Sequence, residues 1–226
     1  MSSPTEQQSG LPSTTNAMRL QREISRYVIT SDGIKQVDRV CGADVSYVGE
    51  VAYCSAVIIS KKSLELIESI NAKNHVKQKY ISGLFMLRES EPVIRTLKLL
   101  KNDFDLLLVD GHGMLHPRRC GLACYIGVTI DKPTIGVAKR LLCGMTRKDG
   151  FVELDGEVLG KAIVATRTGK DLTKKVFVSV GHKVSLRSAI RIVRKLTRTG
   201  EYLPEPLRIA DILSKRRENF SFAIDK

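Results

Sequence analysis

The chain has 226 residues, 42% hydrophobic and 27% charged, proportions that exclude a largely disordered protein and fit one compact domain. No run approaches the ~20 apolar residues that cross a bilayer, and the start, MSSPTEQQSGLPSTTNA, lacks the apolar core of a secretory signal, so a cytoplasmic protein with no membrane partner is expected. The net charge of +13 is uneven, with 14 basic and 13 acidic side chains in residues 1–113 against 23 and 11 in residues 114–226, and a surface of that kind suits a polyanion such as nucleic acid.

Residues 1–16 are rich in Ser, Thr, Gln and Pro without periodicity and read as a disordered tail, leaving 17–226 as the single domain. Met18, Leu20, Ile24, Tyr27 and Val28 have helical spacing. Val37–Val48 and Val51–Ile59 are strand-like, with Gly49 as the hairpin turn, and Leu64–Ile70 is a third, less regular run. A helix is expected after Glu89, where Pro92 lies near the start and Val93, Ile94, Leu97 and Leu100 give one apolar face. The continuous apolar run Phe104–Val109 predicts a strand covered on both faces, ending in the turn Asp110-Gly-His-Gly. Cys120–Ile130 reads as a buried helix and Thr134–Ala138 as a strand. Residues 144–160 read as loop and turns. Ala162–Thr166 and Val176–Val180 are further strand candidates. In residues 185–198, Leu186, Ile190, Val193 and Thr197 share one helix face while Arg187, Arg191, Arg194 and Arg198 share the next. Pro204 and Pro206 precede a last helix, Leu207–Arg217. A strand trio followed by alternating helix and strand predicts an α/β fold, a mixed central sheet with helices on its faces.

Five cysteines, none in a C-x-x-C pair, read as reduced thiols rather than a zinc site. The carboxylates are more informative. Asp44 sits inside an apolar strand, where an acid is costly unless it is paired or bound to metal. Asp110 ends a buried strand, where α/β sheets present side chains to a ligand. Glu89 lies near a helix start and Asp211 at the edge of an apolar helix face. Converging at one end of the sheet, these four would offer hard oxygen donors suited to Mg²⁺ or Mn²⁺. Turn formation, helix capping and solvation are the competing explanations for each in isolation.

GADVSY around Asp44, YISGLFMLRE from Tyr80 to Glu89, and LLLVDGHGMLHPRRCGLACYIGV from Leu106 to Val128 resemble the endonuclease V family. TIGVAK ending at Lys139, VSVGHKVSL around His182 and YLPEPLRIAD ending at Asp211 extend the resemblance over about residues 18–217. It implies an RNase H-like fold and hydrolysis of the second phosphodiester bond 3′ to deoxyinosine, the product of adenine deamination, leaving 3′-hydroxyl and 5′-phosphate ends. The implied cofactor is Mg²⁺, with Mn²⁺ able to substitute. The implied partner is DNA containing deoxyinosine, with inosine-containing RNA as a further possibility, bound by a monomer. Carried over residue by residue, it makes Asp44, Glu89 and Asp110 metal-binding carboxylates, and Asp211 matches a position that is Asp or His in such proteins. His116 and Lys139 match basic active-site positions, His116 for a phosphate contact or proton transfer. Tyr80, Ile81, Ser82 and Gly83 match a wedge motif that holds open the gap left by a flipped base. Lys79 stands where the family has Pro or a small residue, a departure that bears on the stiffness of that wedge. Arg88, Gly111, Gly113, Gly121 and His182 complete the expected substrate-binding set. No cluster of Asn and Gln suggests a side-chain reader, so the base is expected to be read by backbone groups. Another RNase H-like nuclease, of junction-resolvase or ribonuclease H type, would share the carboxylates without a reason for Y-I-S-G. A non-catalytic basic binder would share the charge alone.

Overall fold

The computed structural model describes residues 14–33, 36–76, 78, 81–164 and 174–222. A ten-stranded mixed sheet runs through them in the order β10-β3-β2-β1-β4-β5-β9-β8-β7-β6. β1 (Arg39–Val48), β2 (Val51–Ser60) and β3 (Leu66–His75) form an antiparallel meander. β4 (Leu106–Val109) and β5 (Thr134–Ala138) then join parallel to β1, each after a crossover helix: α2 (Met86–Leu97) and α3 (Leu122–Thr129). β9 (Lys175–His182) returns antiparallel to β5. This is the mixed α/β sheet that the element order predicts, and it fits the RNase H-like fold that the resemblance implies.

Side-chain alternation decides what each face buries. Val40, Leu106, Leu108, Ile135 and Val137 pack against α4 (Leu186–Leu196) and α5 (Glu205–Arg216). Cys41, Ala43, Leu107 and Val109 pack against α2 and α3. All four β4 residues are therefore buried, and its apolar run is that of a strand covered on both faces. The Val48–Val51 turn is built on Gly49, whose φ of +56° costs glycine little.

Several boundaries differ from the sequence expectation. Helix α1 spans Thr14–Ser25, so the last three residues of the expected tail are helical and the helix stops before Val28; residues 1–13 lie outside the described part. β3 begins at Leu66, because Leu64 adopts φ +60° in the preceding turn. α2 starts at Met86, before Glu89, which is thus in its first turn, and Pro92 is inside the helix. Proline lacks the N–H that would bond the Arg88 carbonyl four residues back; the Tyr47 hydroxyl donates to that carbonyl instead, at 3.2 Å.

The largest correction concerns 144–160, which holds β6 (Met145–Thr146), β7 (Phe151–Leu154) and the first half of β8 (Glu157–Val164). Asp155 and Gly156, both at positive φ, make a two-residue hairpin turn, so the D-G pair was a strand-turn-strand signal that local polarity masked. Thr166 lies outside the described residues. Among the described residues, no helix is long and apolar enough to cross a membrane. β10 (Ser221–Phe222) adds a short edge strand on β3 that the sequence did not announce.

Candidate functional site

Asp44 and Asp110 are brought together by strand register: Ala43 pairs with Val109 across parallel β1 and β4, so the next residue of each strand reaches the same end of the sheet. Asp211 arrives from α5. That helix lies close on β1 because Gly42 has no side chain: a Cβ there would stand 2.5 Å from the Pro206 backbone. Ligand oxygens of Asp44, Asp110 and Asp211 all fall within 4.8 Å of one another. The Ser214 hydroxyl donates to Asp44 Oδ2 at 2.6 Å. Lys139, just past β5, places its Nζ 2.6 Å from both Asp110 Oδ2 and Asp211 Oδ1, and Lys215 Nζ is 2.6 Å from Asp211 Oδ2.

The electrostatics describe a cluster short of positive charge. Burial, then the Asp110 charge, push the Asp44 carboxyl up to about 7. Glu89 is raised well above the usual carboxylate range by burial and by the charges of Asp110 and Asp44. Burial would raise Asp211 too, but hydrogen bonds from Lys139 and Lys215 outweigh it and hold that group low. Burial works against the Lys139 ammonium, yet the neighbouring Asp110 holds it charged beyond the ordinary lysine range. Three hard oxygen donors at this spacing, with an ammonium already bridging two of them, fit a hard divalent cation. Glu89 is buried and faces the cluster electrostatically, but it is not one of the three residues whose ligand atoms share that spacing. It lies beside the trio, buried and within reach of the charges of Asp44 and Asp110.

Next to the carboxylates lies a pocket of about 360 Å³ whose lining includes Gly83, Phe85, Asp110, Gly111, Gly121 and Lys139. Gly111 and Gly121 both line this pocket. Gly121 also packs backbone to backbone, since a Cβ there would overlap the His112 carbonyl. Gly113 serves packing toward β9: its N–H donates to Ser179 Oγ at 2.9 Å, and a Cβ would overlap the Val180 carbonyl. Ile81 and Ser82 are exposed beside Gly83, which adopts φ +76°. Tyr80 and Lys79 lie outside the described residues.

Three expected site residues have hydrogen-bonded or stacked partners within the fold, and one of them, His116, also lines the pocket. His116 is 2% exposed; its Nδ1 accepts from the Arg118 N–H at 3.2 Å, so Nε2 carries the proton and donates it to the Gly83 carbonyl at 3.0 Å. Burial, then the Arg118 charge, lower it to about 4, so it is neutral at pH 7 with its one proton committed to backbone. Arg88 stacks its guanidinium on the Tyr47 ring at 4.1 Å and donates to the Gln78 carbonyl at 3.1 Å. His182 pairs with Thr134 at the start of β5, whereas Lys139 follows the far end of that strand, roughly 13 Å along at the usual strand rise. Its Nδ1 accepts from the Ile29 N–H at 3.3 Å, and the ring is buried.

Sequence reasoning missed Gln21, Arg118, Ser214 and Lys215. Ser214 and Lys215 were legible in principle, being three and four residues beyond Asp211 on one helix. Nothing local marked Gln21, whose partners are 62 and 99 residues away.

A sequence model of the endonuclease V family matches residues 22–212. An endonuclease V from Thermofilum pendens is 42% identical over 205 residues, which cover 88% of this chain and 87% of that protein. The crystal structure of Streptomyces avermitilis endonuclease V is similar with a TM-score of 0.82 at 33% identity, over 92% of this chain and 94% of that one. Ciona intestinalis endonuclease V, solved with a 24mer DNA containing an inosine followed by a ribo-adenosine, gives 0.77 at 31% identity, over 88% and 94%. With the carboxylate trio at the β1–β4 end of an RNase H-like sheet, these similarities show that the chain belongs to the endonuclease V family of nucleases.

Proposed function

We propose that this nuclease cleaves deoxyinosine-containing DNA at the second phosphodiester bond 3′ to the lesion, leaving 3′-hydroxyl and 5′-phosphate ends, and so begins repair of deaminated adenine. The observation that carries the reading is the pocket opening directly beside Asp110 and Lys139, a cavity of about 360 Å³ with room for a base next to the carboxylate trio. Asp44, Asp110 and Asp211 would hold Mg²⁺ or Mn²⁺, with Glu89 beside them. Bound there, such an ion supplies Lewis acidity, activating water and neutralising charge on the phosphate.

The chain's own residues do the rest. Lys139, held charged between Asp110 and Asp211, meets the negative charge that develops on the scissile phosphate. Ser214 orients the Asp44 carboxyl through its 2.6 Å hydrogen bond. A flipped hypoxanthine enters the pocket between Gly83 and Gly111, where backbone groups read its edge and apolar walls exclude water. Tyr80 fills the gap left in the stack, offsetting part of an unstacking cost of a few kcal/mol. Inosine-containing RNA is the second reading, favoured by the ribo-adenosine that follows inosine in the Ciona complex.

The test is incubation with Mg²⁺ and matched DNA and RNA oligonucleotides bearing inosine or adenosine, with the cut mapped on both strands. Cleavage one nucleotide beyond the position 3′ to inosine, and none with adenosine, is expected. Equal cleavage of both would defeat the specificity reading.

A further inference from the structure

Both carboxylate oxygens of Asp211 are taken by ammonium groups. Lys139 Nζ lies 2.6 Å from Oδ1, and Lys215 Nζ lies 2.6 Å from Oδ2. A divalent cation shared by Asp44, Asp110 and Asp211 must therefore take an oxygen from one of the two lysines. They are not equally easy to move. Lys139 is also 2.6 Å from Asp110 Oδ2, and its side chain is 33% exposed. Lys215 reaches Asp211 along one helix face, four residues on, and its side chain is 61% exposed. An exposed pair of that kind is held weakly. Asp211 Oδ2 is thus the oxygen a cation gains at least cost.

The ammonium of Lys215 is exposed, but its backbone is fixed. Ser214, the preceding residue, is fully buried; its hydroxyl donates to Asp44 Oδ2 at 2.6 Å and its carbonyl accepts from Ser46 Oγ at 2.5 Å. The last turn of α5 is pinned to β1, so a displaced Lys215 ammonium stays on the solvent side of the carboxylate cluster. Charge says what it meets there. Three carboxylates and two ammoniums leave one negative charge, and a divalent cation turns that into one positive charge. Glu89 adds little, because burial and the two aspartates oppose its ionised form. A phosphodiester carries the one negative charge that balances the site.

We propose that Lys215 is an exchangeable counter-charge: it holds Asp211 Oδ2 in the metal-free protein, yields that oxygen to the divalent cation, and then pairs with a backbone phosphate of the bound nucleic acid. Metal and nucleic acid then assist each other through Lys215, and the assistance is reciprocal. An ordinary i,i+4 surface pair would support the helix and do neither. The inference rests on the carboxylate trio being the metal site, and the experiment separates the two.

Mn²⁺ binding to the free, full-length protein is followed by electron paramagnetic resonance. Lys215→Met should bind Mn²⁺ about fivefold more tightly than the parent, the worth of one exposed ion pair no longer competing. Arg216→Met removes the same charge from the next residue, which is also exposed, and should change that affinity by less than about twofold. Lys215→Arg keeps a cation in place and should bind Mn²⁺ as the parent does. The second readout is duplex binding. An inosine duplex with CH₂ in place of the 3′ oxygen at the second linkage keeps the phosphate charge and resists cleavage there. Mn²⁺ should tighten its binding to the parent about fivefold more than its binding to Lys215→Met. Unchanged Mn²⁺ affinity in Lys215→Met, an equal gain in Arg216→Met, or equal tightening of the duplex in parent and variant would each overturn the proposal. A parent that binds no Mn²⁺ would overturn the metal reading of the trio, and the exchange with it. Cutting of the modified duplex would overturn the proposed cut position alone, and the free-protein affinities then decide the exchange.

Discussion

Asp44 and Asp110 share one end of the sheet and one cluster of oxygens, so their removal should not add. Asp44→Asn or Asp110→Asn should each forfeit several kcal/mol of charge stabilisation in the reaction, and ~4 kcal/mol is about a thousandfold in rate. The double variant should be little slower than either single one, since ligands of one site act as a unit. Single-turnover cleavage of an inosine duplex measures this, and a folded single variant with near-normal cleavage would remove that residue from the metal site. Without divalent ions Asp44→Asn should melt higher than the parent, because it takes a buried negative charge away from Asp110. His116 makes a separate prediction. Its folded pKa is about 4 against an ordinary 6.5, so the folded state binds fewer protons than the unfolded one between those values. The stability it contributes is present above pH 6.5 and is lost as pH falls toward 4, by up to about 3 kcal/mol. The stability gap between the parent and His116→Gln should therefore shrink over that window in urea titrations. A gap independent of pH would refute the committed-proton assignment.

At the scale of elements, the site depends on how near α5 can lie to β1. Gly42→Ala would drive a methyl to 2.5 Å from the Pro206 backbone, a contact that helix displacement alone relieves. Overpacking of this kind typically costs 1–3 kcal/mol. Here it should also shift Asp211 and Ser214 away from Asp44, so cleavage should fall by more than the melting temperature predicts. Gly42→Ala with full activity at a temperature where it is folded would show that α5 is not set by this contact. Elements also explain what was hard to read. The β7–β8 hairpin was hidden because charged residues and glycines dominate 144–160, and because one edge strand's pattern is short. Its Asp155-Gly156 turn and the buried Val152 against Leu115 identify it only once the hairpin is paired with β9.

Across the whole molecule, the excess of basic residues after residue 113 suits a polyanion, and the structure sorts which of these residues have partners within the fold. Arg187, Arg191 and Arg194 on α4 and Arg198 just beyond it are all exposed; Arg191 donates to Ser188 and Arg198 pairs with Glu205. Neutralising Arg187 and Arg194 should lower the slope of log K against log salt by ~2 on every duplex, with or without inosine. A change confined to inosine duplexes would argue against phosphate contacts. The sequence by itself determined the mixed α/β sheet, because alternation and continuous apolar runs follow from which faces a strand buries. It also singled out Asp44 and Asp110, because an acid in an apolar strand or at its end is conspicuous wherever it occurs, and with them Glu89 and Asp211 on helices. Tertiary structure alone decided that Glu89 stands beside the carboxylate trio, that His182 lies at the opposite end of β5, and that His116 serves the Gly83 carbonyl with Gln21 and Arg118. These are matters of register and of contacts between residues far apart in the chain, and a local pattern carries no information about which distant donor a carbonyl will meet.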